Sequence, residues 1–251
     1  MELKDKVILV TGGAHRVGRE MALSAARWGM NVAFTYRASA KPAEATRAEI
    51  EAFGRQCLAL RCDQSKTEEI QPVVDAVIAR FGRIDVLVNS ASNYEQRDFF
   101  DVTPEGWDEV IATNTRGPFF FTQAVARHML AQSNVEGLAQ NEGGSIVNIV
   151  DEAVFKPSIS HPDHSVSKGA LWTLTRLSAL RLAPKIRVNA IMPGAVLQPP
   201  DWSDERWNAL IPNIPLKKHG SPQDVCHALE YLIHAEYVTG QMMVVEGGVT
   251  M

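Results

Sequence analysis

Val7-Ile8-Leu9-Val10-Thr11-Gly12-Gly13-Ala14-His15-Arg16-Val17-Gly18 opens with four consecutive apolar residues and passes through a glycine-rich turn into the amphipathic stretch Arg16–Trp28. A short, wholly apolar run is what a strand buried on both faces requires. Such a strand, turned tightly into a helix, is the unit from which parallel α/β folds are built. Glycines at the turn let backbone N–H groups approach an anion at the positive end of the helix. The turn alone does not establish a ligand, because tight strand-to-helix connections need glycine for their own geometry.

The same alternation continues outward. Further apolar runs lie at Val32–Phe34, Leu58–Leu60, Val86–Val88, Ile146–Val150, Val188–Ile191 and Met242–Val245. The intervening Ala43–Phe53, Ile70–Phe81, Trp107–Leu130, Ser165–Leu182 and Pro222–His234 carry apolar residues at helical spacing. The pattern predicts a single-domain, Rossmann-type, doubly wound parallel sheet of seven strands over residues 1–251, with helices on both faces. Right-handed crossovers then put any ligand at the carboxyl ends of the strands. Gln132–Gly144 reads as a surface loop, and Pro193–Pro215, with Trp202 and Trp207, as a loop over the substrate.

Composition narrows the function classes. With 251 residues, 25 Lys+Arg against 29 Asp+Glu and a formal charge of −4, the chain has no electrostatic footprint for nucleic acid or an anionic membrane. No run approaches the ~18 apolar residues that span a bilayer, and Val7–Val10 is too short for a signal-peptide core, so a cytoplasmic protein is expected. Cys57, Cys62 and Cys226 have neither disulfide parity nor zinc spacing. His161 and His164 lack a third ligand at metal spacing, and no metal is expected.

At the end of the second strand, Tyr36-Arg37-Ala38-Ser39 offers no carboxylate to hold a free ribose 2′-hydroxyl. Arg37 together with Arg16 points instead to a 2′-phosphate, hence to NADPH. Cys62-Asp63 after the third strand and Asn89-Ser90-Ala91-Ser92 after the fourth fall on the rim along which a bound dinucleotide would run.

Taken with Asn114-Thr115-Arg116-Gly117, Ser167-Lys168-Gly169-Ala170-Leu171, Arg187-Val188-Asn189-Ala190-Ile191-Met192-Pro193-Gly194 and the terminal Tyr237-Val238-Thr239-Gly240-Gln241 and Glu246-Gly247-Gly248, the chain resembles the short-chain dehydrogenase/reductase family along nearly its whole length. The T-G-x-x-x-R-x-G form of the first motif, where the family usually has glycine at the position of Arg16, is similar to the pteridine reductase branch, as are Tyr36-Arg37 and Asp151. The resemblance implies that Gly12, Arg16, Val17, Gly18, Arg37, Ser39, Asp63, Asn89, Ala91, Lys168, Pro193 and Gly194 bind the cofactor. It also implies that Asn114 relays protons. A homo-oligomer, dimer or tetramer, is implied through the helices at Trp107–Leu130 and Ser165–Leu182.

The pattern breaks where the chemistry should be. The family's catalytic Tyr stands four residues before the Lys, which here is His164, and its Ser stands thirteen before that, which here is Asp151. Asp151 resembles the pteridine reductases, whereas His164 departs from both patterns. An Asp–His pair can keep an imidazole protonated enough to act as a general acid. Asn114, Asp151, His164 and Lys168 are therefore the candidate catalytic residues, with Tyr94, Phe155 and Trp202 around a small-molecule substrate. Tyr94 is also a candidate substitute donor. The expected activity is NADPH-dependent reduction of a C=N or C=O bond, pteridine-reductase-like. The alternatives are an NADP-binding homologue with little or no turnover, acting as a sensor or partner-binding protein, and a ketone reductase of the 3-oxoacyl-carrier-protein type. The last expects Ser and Tyr where Asp151 and His164 stand.

Overall fold

The computed structural model describes residues 1–132 and 143–251. Seven parallel strands, β1 (Val7–Val10), β2 (Asn31–Tyr36), β3 (Cys57–Arg61), β4 (Val86–Asn89), β5 (Gly144–Ile149), β6 (Ile186–Pro193) and β7 (Met242–Val245), form one sheet in the order β3-β2-β1-β4-β5-β6-β7. The order reverses between β1 and β4, whose Ile8, Leu9 and Val10 pair with Val86, Leu87 and Val88. That reversal opens the crevice in which sheets of this kind take their ligands.

Alternate residues of β1 explain why the run is apolar throughout. Ile8 and Val10 face a core built with Met21 and Leu23 of helix α1 (Arg16–Arg27), and also with Val225 and Leu229 of a C-terminal helix at Pro222–His234. Val7 and Leu9 face Val73, Val74 and Val77 from α3 (Ile70–Phe81), and Phe121, Val125 and Met129 from a later helix, on the opposite side. α2 is Ala40–Ala52. Both faces of the sheet are thus dry, and the polar ends of the strands are left for function.

The predicted helix over Trp107–Leu130 is two helices. α4 (Pro104–Ile111) starts at the Thr103 cap, whose hydroxyl accepts from Gly106 N, and α5 spans Gly117–Gln132. Between them Ala112–Arg116 forms a π-helical turn carrying Asn114. An inserted residue of this kind shifts the helical face locally and is common at functional sites. α6 (Pro162–Leu182) begins before the predicted Ser165, with Pro162 in its first turn. The predicted loop Pro193–Pro215 holds a short helix, α7 (Asp204–Asn208), and a 3-10 turn at Ile211–Asn213. α8 is Pro222–His234, started by a reciprocal Ser221/Asp224 capping box. Most of the predicted surface loop Gln132–Gly144 lies outside the described residues.

Candidate active site

The turn after β1 has the shape of a pyrophosphate cradle. Gly12 has φ +70°, and a Cβ there would come within 2.9 Å of Ala91 Cα. A side chain on Gly18 would collide with the Gly12 carbonyl. Both glycines therefore keep the backbone open beside the start of α1, where His15 provides no side-chain cap for the first-turn N–H groups. Those uncapped donors, at the positive end of a helix and level with the sheet crevice, suit an anion. Thr11 Oγ1 accepts from Ser90 N and Ala91 N at 3.0 Å, fixing the loop after β4 against the turn.

At the far end of the crevice Arg37 is 60% exposed and pairs with Glu109 at 3.5 Å. Ser39, the N-cap residue of α2, makes no side-chain cap bond. Burial raises the Asp63 carboxyl, but hydrogen bonds from Ser65 and the charge of Arg37 outweigh this and hold it below the ordinary range. Arg16 does not join Arg37. Its guanidinium donates to Leu197 O at 3.1 Å and Gln198 O at 3.3 Å in the loop after β6. Its φ of +50° lies in the left-handed region that a non-glycine residue enters at a cost of ~1–3 kcal/mol.

The carboxyl ends of β4 and β5 and the first turns of α6 meet in a buried polar cluster. Lys168, 4% exposed, donates to Ile149 O at 2.8 Å. Among the described residues no other acceptor engages it, which leaves two ammonium N–H groups for a ligand. Burial pulls its pKa down, and the nearby Asp151 carboxylate only partly restores it. Asn114, 1% exposed, has both amide protons engaged, by Asn93 O at 2.9 Å and Ser167 Oγ at 3.0 Å. Its oxygen accepts from Asn93 N at 2.7 Å.

His164 sits within this network, 3% exposed. Nε2 bonds Asp151 Oδ2, and Nδ1 lies 3.0 Å from Asn93 O. Both ring nitrogens thus face oxygen acceptors. Asn114 Nδ2 also approaches Nδ1, at 3.3 Å, but its two protons have closer acceptors. Burial raises the Asp151 carboxyl, yet the hydrogen bond from His164 and the charges of Lys168 and His164 outweigh it, and Asp151 is held below the usual range. Its other oxygen accepts from Ala153 N at 2.9 Å.

Tyr94 reaches this cluster from the loop after β4. Its ring packs edge-on against His164, with centroids 4.7 Å apart, and stacks on His161 at 4.2 Å. The loop is clamped to α6 by Arg97, which pairs with the wholly buried Asp163 at 2.6 Å and with Glu95, while Arg97 N donates to Ser160 O. Asp163 in turn accepts from His164 N at 2.8 Å. Arg97→Ala would leave a buried carboxylate unpaired, and a loss of ~3–5 kcal/mol is expected. Urea unfolding of the variant beside the wild type measures it.

Trp202 carries Arg206 over its face at 3.9 Å and meets Trp207 edge-on at 6.4 Å. Phe155 is exposed and, among the described residues, makes no ring contact with Tyr94 or Trp202. The structure brings Asp151, His164, Lys168, Asn114 and Tyr94 together. Sequence reasoning missed Asn93, whose contribution is a backbone carbonyl and carries no side-chain signal, and Ser167, whose hydroxyl bridges Asn114 to His164 O. It also missed the Arg97–Asp163 clamp, although paired charges flanking two motifs were visible. Among the described residues there is no group of three or more potential metal ligands and no helix long and apolar enough to cross a membrane.

Residues 12–250 match the family described as Enoyl-(Acyl carrier protein) reductase. A 3-oxoacyl-[acyl-carrier-protein] reductase of Staphylococcus epidermidis is 32% identical over 252 residues, covering 98% of this chain and 100% of the relative. The 2-dehydro-3-deoxy-D-gluconate 5-dehydrogenase of Escherichia coli is 33% identical over 253 residues, with 98% and 96% covered. Among solved structures, a blue fluorescent protein from a metagenomic library in complex with NADPH superposes with a TM-score of 0.89 at 28% identity over the whole of both chains. Acetoin dehydrogenase from Enterobacter cloacae gives 0.86 at 33% identity over 97% of this chain and 95% of that one. Likeness over the full length, in sequence as well as in strand order, is more than a shared fold, and the chain belongs to the short-chain dehydrogenase/reductase family of oxidoreductases.

Proposed function

We propose that the protein is an NADPH-dependent reductase of a C=N or C=O bond in a flat, nitrogen-bearing heterocycle of the pterin class. The observation that carries the reading is the Asp151–His164 pair beside Lys168, in place of a neutral Ser–Tyr pair. A carboxylate only accepts hydrogen bonds, so a substrate bordering Asp151 should offer N–H donors. Amino-substituted heterocycles do so. Neutral acyl ketones do not.

NADPH supplies the hydride when bound. The residues present fit it: uncapped α1 N–H groups and the open glycine turn for the pyrophosphate, and the two unengaged N–H groups of Lys168 for the nicotinamide ribose. The 2′-phosphate is assigned to Arg37 and Ser39, because the exposed Arg37–Glu109 pair is worth little and yields readily to a stronger anion. Asp63, Asn89, Ala91, Val17, Pro193 and Gly194 line the remaining rim. Asp151 faces the substrate, Asn114 holds the loop of Asn93 against α6, and Tyr94 and Trp202 form aromatic walls over the residue 193–215 side. Exposed Phe119, Phe120, Val166 and Leu177 on α5 and α6 support association of copies through these helices, as a dimer or tetramer.

The relatives keep a second substrate in view, a 3-oxoacyl thioester. NADPH oxidation followed by absorbance, with a dihydropterin and an acetoacetyl thioester in parallel, separates the two. The expected result is a kcat/KM at least tenfold higher on the pterin, since a site that hydrogen-bonds its substrate discriminates by more than 1.4 kcal/mol. A higher value on the thioester would overturn the reading.

A further inference from the structure

This inference rests on the reductase reading and concerns how the proton reaches the substrate. His164 stands where the family's donor stands, but it is 3% exposed and both its ring nitrogens are engaged, by Asp151 and by Asn93 O. It presents no free N–H to the cleft. Asp151 is partly exposed, yet the His164 bond and the Lys168 charge favour its ionised form, and an ionised carboxylate has no proton to give. Asn114, Ser167 and Lys168 are buried in the network beneath. An imidazole is also shorter than a phenol, so the end of the usual donor's position is left unfilled.

Tyr94 lies beside His164, with ring centroids 4.7 Å apart. It is 62% exposed, and no hydrogen bond engages its hydroxyl among the described residues. Its ring is held against His164 edge-on and against His161 face-on. The backbone before it is fixed by Asn93, whose N–H and carbonyl both bond Asn114, and the backbone after it by the Arg97 clamp. Two histidines and two buried anchors are more than a mobile surface tyrosine receives.

We propose that Tyr94, from the loop after β4, is the proton donor, and that the hydrogen-bonded His164–Asp151 pair forms the floor on which its ring rests. As hydride reaches the carbon of the C=N or C=O bond, the Tyr94 Oη–H bond breaks and its electron pair stays on the phenolate oxygen. A new N–H or O–H bond forms on the substrate heteroatom, so a neutral substrate leaves as a neutral reduced product. The phenolate recovers its proton from water, to which the ring is open. Burial, with the nearby Asp151 and Glu152 carboxylates, holds the phenol above its ordinary pKa, so the donor is fully protonated at neutral pH.

Tyr94→Phe keeps the ring and removes only the hydroxyl. With the dihydropterin as substrate, kcat is expected to fall roughly 10²-fold, the lower end of what a positioned donor contributes, with KM and NADPH affinity within about twofold. In the apo protein, the phenol titration assigned by ultraviolet difference between wild type and Tyr94→Phe should move to lower pH when Asp151→Asn removes the adjacent carboxylate. Turnover of Tyr94→Phe within about twofold of wild type would make Tyr94 a substrate wall only and overturn the proposal, as would an unmoved titration. A wild type inactive on both the pterin and the thioester would instead overturn the reductase reading, and this proposal with it.

Discussion

Asp151→Asn should lower kcat by ~10² on the dihydropterin, because substrate and the His164 ring are no longer held in place, leaving NADPH affinity nearly unchanged. The amide preserves shape, but it removes the charge that His164 faces and replaces one acceptor by a donor. With Nε2 then facing an amide, the bond that fixes the His164 ring beneath Tyr94 is weakened. The pH dependence supplies an independent check. Because the fold holds the Asp151 carboxyl below its ordinary value, the stability it contributes is complete above the unfolded carboxylate pKa of ~4 and is lost as pH falls through the lower folded value. Wild type should therefore lose part of its advantage over Asp151→Asn below about pH 4, seen as converging Tm values. Parallel Tm curves through that range would show that the carboxylate is not paired.

The second large effect couples loss of activity to a gain in stability. Lys168→Met should reduce turnover by ~10²–10³ and weaken NADPH binding, because a cation placed to hold the cofactor and steady developing charge is gone. The same substitution should raise Tm. Burial lowers the Lys168 pKa, which means that folding disfavours the charged form. That penalty is complete below the lowered folded pKa and fades as pH rises from it toward the ordinary ~10.4. Methionine fills similar space without a charge; it gives up the bond to Ile149 O, an unmet acceptor worth ~1–3 kcal/mol, and the attraction to Asp151, which together only partly offset the several kcal/mol for burying an ammonium. For a chain of this length each kcal/mol moves Tm by ~2–4 °C, so an increase of a few degrees is expected in a thermal melt at pH 7. A fall in Tm would mean that the ammonium is better compensated than the carbonyl bond and the Asp151 carboxylate indicate.

The strands were legible because a parallel strand covered on both faces has no freedom to be polar, and Val7–Val10 or Val86–Val88 can be little else. Helix boundaries were less so. Nothing in Ala112-Thr113-Asn114-Thr115-Arg116 announces a π turn, which arises when an extra residue is held in place by contacts made elsewhere, here Asn93 and Ser167 on Asn114. The side-chain chemistry of Asp151, His164 and Lys168 could be read from spacing, since α6 carries two of them one turn apart. What spacing could not show is the second acceptor on His164, a main-chain carbonyl that any residue at position 93 would present. That one contact changes the ring from a donor facing substrate to a part of the floor.

Arg16 bears differently on the protein's behaviour. It is rooted in the glycine turn where the dinucleotide is expected and ends on the carbonyls of Leu197 and Gln198, in the loop expected to cover the substrate. A glycine would adopt this backbone freely but could hold nothing. Those two bonds tie the segments together, so a ligand that settles the turn is expected to bias the loop as well. Such linkage is reciprocal: the factor by which the cofactor tightens the substrate must equal the factor by which the substrate tightens the cofactor.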